Sequence, residues 1–118
     1  MELTFEDLED GVRRINLAGR LDVEGTQQID LKFTSLSATT RGRIVVDLSA
    51  VEFMSSLGLG TLVRSAAAQS LRQGKLVLLA PRENVDRVLE TTRIKDVIEV
   101  YRDFDAARRA VLSVDMTT

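Results

Sequence analysis

The 118-residue chain contains no cysteine and no histidine. Without thiols there are no disulfides, no thiolate nucleophile and none of the usual structural zinc sites. Without imidazole the Ser-His-Asp and Cys-His triads fall away, together with most transition-metal chemistry. Tryptophan is missing too, aromatic residues make up 4% and there is one proline, so the interior has to be built from Leu, Val, Ile and Ala. No apolar run approaches the length of a membrane span or a signal peptide, which predicts a cytoplasmic chain with no direct membrane insertion. A formal net charge of −2 supplies no basic surface for nucleic acid.

Hydrophobic residues at 44% and charged residues at 29% are ordinary globular values, and a chain of this length buries enough surface to fold unaided. One domain over residues 1–118 is expected, with its core in about 3–112 and a polar C-terminal tail at 113–118.

The apolar positions switch between periods of 2.0 and 3.6. Leu3 and Phe5 begin a short strand, and Asp10-Gly11 turns it into a hairpin partner carrying Val12, Ile15 and Leu17. Gly19-Arg20-Leu21-Asp22 ends that strand in a loop, and Asp22 or Thr26 caps a helix whose apolar face is Ile29, Phe33 and Leu36. Arg43 to Leu48 is a nearly continuous apolar run and Lys75 to Ala80 reads as a second buried strand, both of the kind covered on both faces of a sheet, the second ended by Pro81. Between them Leu59, Leu62, Val63, Ala66 and Leu71 form a helical stripe closed by Gln73-Gly74. Val85, Val88 and Leu89 mark a third helix, Val97 to Tyr101 a last strand, and Asp103 or Asp105 the start of a helix with Phe104, Ala107 and Val111. The predicted class is α/β: a mainly parallel central sheet with an antiparallel edge strand and about four helices.

The stretch most open to chemistry is Met54-Ser-Ser-Leu-Gly-Leu-Gly60, at a strand-to-helix junction. A nucleophile elbow needs glycine two residues before the serine, where Ser56 has Met54, and no histidine exists to act as base. Gly74-Lys75 lacks both ends of a Walker loop, and Val63 stands where a dinucleotide fingerprint needs its third glycine. Two compatible readings remain. Ser55 or Ser56 caps the helix, or one of them accepts a phosphate, which the free amides and positive helix end favour. Asp22, Asp47 and Glu52 pose a separate question. They either meet at the carboxyl ends of strands as an acid or cation site, or serve as strand end, cap and solvated acid. The pairs Arg13/Arg14 and Arg108/Arg109 read as solvated faces or as anion contacts.

Gly19-Arg-Leu-Asp22, Ile44-Val-Val-Asp-Leu-Ser-Ala-Val-Glu-Phe-Met54, the serine turn with Gly58-Leu59-Gly60, Gly74-Lys-Leu-Val-Leu78 and the Val85/Val88/Leu89 helix follow one another in an order that resembles the STAS domain. The likeness is to STAS domains of the anti-sigma factor antagonist type, and it spans Leu3 to about Leu112. In that family the turn usually reads Asp-Ser-Ser/Thr-Gly-Leu-Gly, and the serine after the aspartate is phosphorylated. The resemblance therefore implies Ser56 as phosphoacceptor, with Ser55 the lesser candidate. Ser55 stands where the acid is usual, and Leu57 where a Ser or Thr is usual. It further implies a partner face of Asp22, Ser55, Ser56, Leu57 and Gly58. The implied partners are an ATP-dependent anti-sigma factor serine kinase, whose capture frees a sigma factor, and a PP2C-like phosphatase. The family implies no enzyme activity, cofactor or metal in this chain. The alternatives are a constitutive STAS module of a lipid-transport ABC complex or signalling scaffold, and an enzyme using Asp47 or Asp22 as catalytic acid.

Overall fold

The computed structural model describes residues 1–114, and in it the alternating periods resolve into one mixed sheet. Strands β1 (Glu2–Asp7) and β2 (Val12–Leu21) form the antiparallel hairpin. Helix α1 (Val23–Ser37), strand β3 (Arg43–Met54), helix α2 (Ser56–Leu71), strand β4 (Lys75–Leu79) and helix α3 (Glu83–Thr91) follow. A 3₁₀ turn at Ile94–Asp96, the two-residue strand β5 (Val100–Tyr101) and helix α4 (Phe104–Leu112) complete the described chain. Strands lie in sequence order, parallel from β2 onward. Of the expected polar tail, 115–118 lie outside the described residues.

Sequential parallel strands joined by crossovers of one hand place α1, α2 and α3 on the same face. There Ile29 and Phe33, Leu59 and Leu62, and Val85 and Leu89 pack on Ile15, Ile44, Val46, Leu76 and Leu78. Among the described helices α4 alone meets the opposite face, its Ala107 and Val111 covering Val12, Val45, Val77 and Leu79. Both faces of β3 and β4 are thus apolar, which is why their sequences run without alternation. β2 alternates instead, because beyond Val12 its second face carries Arg14, Asn16, Ala18 and Arg20.

Several boundaries differ from expectation. Gly19 does not end β2: at φ +112° it sits between two register shifts against β3, and the strand continues to Leu21. β3 likewise runs past Leu48 to Met54, its last residues pairing with β2 alone. β4 stops at Leu79, where Ala80 turns left-handed (φ +51°) ahead of Pro81. At the far edge, the strand expected from Val97 shrinks to two residues, since Ile98 drops into the core and Val97 faces solvent.

The buried side of α2 also departs from its apolar pattern. Leu71 is 87% exposed, while Gln69, two residues earlier, is fully buried. Its Nε2 donates to the carbonyls of Ser37 (2.7 Å) and Thr40 (2.9 Å), and its Oε1 accepts from Gly42 N–H (2.8 Å). An amide placed to satisfy three backbone groups at once loses little by burial, and it fixes the end of α1 and the α1–β3 loop to α2.

The helix then ends in a left-handed residue that is Gln73 (φ +65°) and not Gly74. Gly74 N–H reaches the Gln69 carbonyl at 2.8 Å, and a side chain at Gly74 would begin 2.2 Å from Gln69 Oε1. A non-glycine in the left-handed region is strained. Gln73→Gly is therefore expected to stabilise the fold by about 0.5–1 kcal/mol after the entropy of the freer unfolded chain is subtracted. A urea midpoint that fails to rise, at unchanged m-value, would refute this assignment of the strain.

Candidate functional site at the paired helix starts

Leu21 and Met54, the last residues of β2 and β3, are register partners. The two helices that follow therefore begin side by side, each with a capping side chain, as expected where parallel strands hand over to crossovers. Asp22 caps α1, its Oδ1 accepting Gly25 N–H at 2.7 Å. Ser55 caps α2 in the same way, its Oγ accepting Gly58 N–H at 3.2 Å. The same hydroxyl donates to the Leu21 carbonyl at 2.8 Å, which Ser55 N–H also reaches at 2.9 Å. Ser55 is thus committed to joining α2 to the end of β2.

Ser56, the first residue of α2, is exposed, and among the described residues its hydroxyl takes no hydrogen bond. The two serines divide the roles that the sequence left open: Ser55 is the cap and Ser56 the free hydroxyl. Both capping residues and Ser56 stand where unpaired N–H groups give a helix start its partial positive charge. Leu57 is 39% exposed beside Ser56. Gly58 is buried because α2 lies against β2, and a side chain there would begin 2.7 Å from Leu21 Cγ. All five residues expected at the partner face are brought to this end of the sheet.

Besides Leu57, two apolar residues at this end of the sheet were not foreseen from the sequence. Val23, directly after Asp22, and Phe53, two residues before Ser55, are both large and exposed. The Arg20 guanidinium lies 4.6 Å from the Phe53 ring and 3.6 Å from Asp22. Phe53 was visible as an aromatic residue outside the buried stripe, but only the extension of β3 to Met54 places it here.

The acids do not converge. Because β3 continues for seven residues beyond Asp47, that carboxylate lies in mid-strand on the α4 face and does not end a strand as one reading required. There Asp47 Oδ2 receives Arg14 at 2.7 Å, and its Oδ1 receives Ser49 N–H at 2.8 Å. Burial works against the Asp47 charge, but the hydrogen bonds from Arg14 and Ser49 outweigh it and hold the pKa below the usual carboxylate value. Such a group is a poor proton donor. Glu52 is exposed on β3, and its backbone carbonyl accepts from Asn84. Among the described residues no group of three acids is placed to hold a metal, and no helix is long and apolar enough to cross a membrane.

The arginine pairs also separate. Arg13 is bidentate to Asp7 (2.6 and 3.0 Å), while Arg14, on the other face, stacks on Phe104 at 4.6 Å. Arg108 pairs with Asp10, and Arg109 lies in the last turn of α4.

Removing the Ser55 hydroxyl deletes the cap and the side-chain bond to Leu21, and leaves the backbone bond from Ser55 N–H in place. Ser55→Ala is expected to cost about 1–2 kcal/mol in chemical denaturation, and a loss below a few tenths would deny the cap its role.

A mixed sheet with three helices on one face and one on the other, and two capped helix starts at the strand ends, defines a STAS-type fold. Residues 7–107 match the STAS domain family, and the chain belongs to it. Within that family, an anti-sigma-B factor antagonist of Staphylococcus aureus is 28% identical over 101 residues, which are 85% of this chain and 94% of the relative. The crystal structure of an anti-sigma factor antagonist from Mycobacterium paratuberculosis superposes with a TM-score of 0.76 at 26% identity, covering 93% of this chain and 92% of that one. The anti-sigma factor antagonist SpoIIAA in its unphosphorylated form has a TM-score of 0.72 at 22% identity, covering 92% and 96%. The phosphorylated form of SpoIIAA, from Bacillus, gives 0.66 at 21%, covering 92% and 99%. At those last identities the likeness is one of fold.

Proposed function

We propose that this chain is an anti-sigma factor antagonist that acts in the cytoplasm as one domain over residues 1–118. Unmodified, it docks an ATP-dependent anti-sigma factor serine kinase on the face around Asp22, Ser55, Ser56, Leu57 and Gly58, and so frees a sigma factor. The kinase moves the γ-phosphoryl group of ATP to Ser56 Oγ, releasing ADP and the hydroxyl proton, and the docked pair separates. A PP2C-like phosphatase hydrolyses the ester and resets the cycle. In this reading the chain performs no catalysis and needs no cofactor.

The observation that carries the proposal is the free, exposed Ser56 hydroxyl on the first turn of α2, beside a second serine already consumed by capping. The antagonist names of the relatives support it. The substitution of serine for an acid at position 55 is structurally mild, since Ser and Asp are both strong caps. It removes one negative charge beside the acceptor and keeps the helix start.

Incubation with the cognate kinase and ATP, followed by peptide mass spectrometry, is expected to place one phosphate on Ser56. An unmodified Ser56, while the kinase phosphorylates another substrate, removes the switch. Exposed Leu57, Val23 and Phe53 favour a second reading, a constitutive docking module of a lipid-transport ABC complex or a scaffold. Pull-down from the source cell separates the two by recovering either a kinase or an ABC nucleotide-binding subunit.

A further inference from the structure

Arg64 lies on the exposed side of α2, and its side chain folds back toward the helix start. Its Nη2 donates to Thr61 Oγ1 at 3.1 Å, and Thr61 in turn donates to Asp30 of α1 at 3.3 Å. Its Nη1 lies 3.2 Å from the point where a side chain at Gly60 would begin. The guanidinium therefore occupies the lane that Gly60 leaves empty. Among the described residues no carboxylate is within ion-pair distance of it.

Ser56, Gly60 and Arg64 are spaced four apart, so they follow one another along one side of α2. Neighbours at that spacing stand about 5–6 Å apart. Arg64, drawn back over Gly60, carries its guanidinium from its own place in that row toward Ser56.

We propose that Arg64 is an intramolecular clamp for phosphate on Ser56, reaching it through the lane at Gly60. The inference rests on Ser56 being the modified residue. A phosphoryl group projecting from Oγ closes the remaining gap, and the planar fork of arginine matches two of its oxygens. Thr61 holds the guanidinium near that position before modification, which lowers the cost of ordering it afterwards. The phosphate then lies along α2, held by the helix amides at one side and by Arg64 at the other. Other charged groups at this end are Arg20 at the end of β2, Asp22 and Glu24 at the start of α1, and Asp30 behind Thr61.

The test uses the full chain with phosphoserine installed at position 56 during synthesis, so that no kinase is required. Phosphorus NMR follows the second ionisation of the phosphate, which is about 6 when exposed. The clamp predicts a value lower in the parent than in Arg64→Gln by about half a unit or more. Gly60→Ala, which places a methyl in the lane and alters no charge, is expected to shift the value in the same direction as Arg64→Gln. The parent's Arg64 Nε–H resonance should move on phosphorylation. Identical titrations in the parent and Arg64→Gln, with a stationary Arg64 resonance, overturn the clamp and leave Arg64 a solvated arginine on a helix surface. Failure of the kinase to modify Ser56 is a separate result that refutes the switch, whatever this titration gives.

Discussion

Ser56→Asp is expected to weaken capture of the kinase by about 30-fold or more, while Ser56→Ala leaves it within about threefold. The contrast follows from where the hydroxyl stands. It is exposed and among the described residues takes no hydrogen bond, so its removal is expected to cost the fold little and to remove little from an interface. A carboxylate there is tolerated in the free protein, because the amides of α2 and the positive end of the helix favour an anion. In the proposed complex the same charge would have to be desolvated near Asp22, and leaving a buried charge imperfectly paired costs about 2–5 kcal/mol. Calorimetric titration of both variants against the kinase decides the matter. Equal affinities for Ser56→Asp and the parent would place Ser56 outside the docking face, and circular dichroism of each variant should superimpose on the parent. The phosphate itself, with about −1.5 to −2 charges, should act more strongly than aspartate.

Gly25→Ala is the substitution expected to damage the fold most. A side chain at Gly25 would begin 2.0 Å from the Arg20 carbonyl oxygen and 3.1 Å from Asp22 Oδ1. The first neighbour is strand backbone, which cannot rotate aside like the tip of a long side chain. Relief requires α1 to withdraw from the end of β2, taking Gly25 N–H away from the Asp22 cap at 2.7 Å. Overpacking combined with loss of a cap is expected to cost about 3 kcal/mol or more. For a domain of this size that lowers the melting temperature by about 10 °C or more. Gly60→Ala provides the control on the next helix. Its nearest neighbour is the movable end of Arg64 at 3.2 Å, and alanine in a helix interior gains up to about 1 kcal/mol over glycine. Similar melting temperatures for the two variants would show that α1 yields far more easily than this contact implies.

The elements that could be read from sequence were those whose burial is written in side-chain type. Ile44 to Val46 and Leu76 to Leu78 are apolar because a helix covers each face, and the three helices over the larger core announce themselves through Phe33, Leu62 and Leu89. Legibility failed where a polar residue took an interior place or a glycine changed its meaning. Gln69 is buried because three backbone groups need an amide, a requirement no periodicity reveals. Gly19 looked like the end of a strand and is a kink within one. At the candidate site, the motif located the pair Ser55-Ser56, but their division of labour depends on the Leu21 carbonyl, which lies 34 residues from Ser55 in the chain. Val23, Phe53 and Arg64 escaped notice for a similar reason. Their relevance comes from tertiary neighbours, and nothing in their local pattern marks them.

The hairpin at the edge of the sheet has a bearing on how these molecules behave when crowded. β1 leaves one row of its backbone groups without a strand beside it, and Glu2 and Glu6 are both exposed along it. If a second copy were to lay its own first strand alongside, centred on Thr4, Glu2 of each would oppose Glu6 of the other, and like charges set directly opposite repel. The other border is only two residues long. Charge on one margin and shortness on the other are the two devices by which a sheet discourages edge-to-edge pairing between copies.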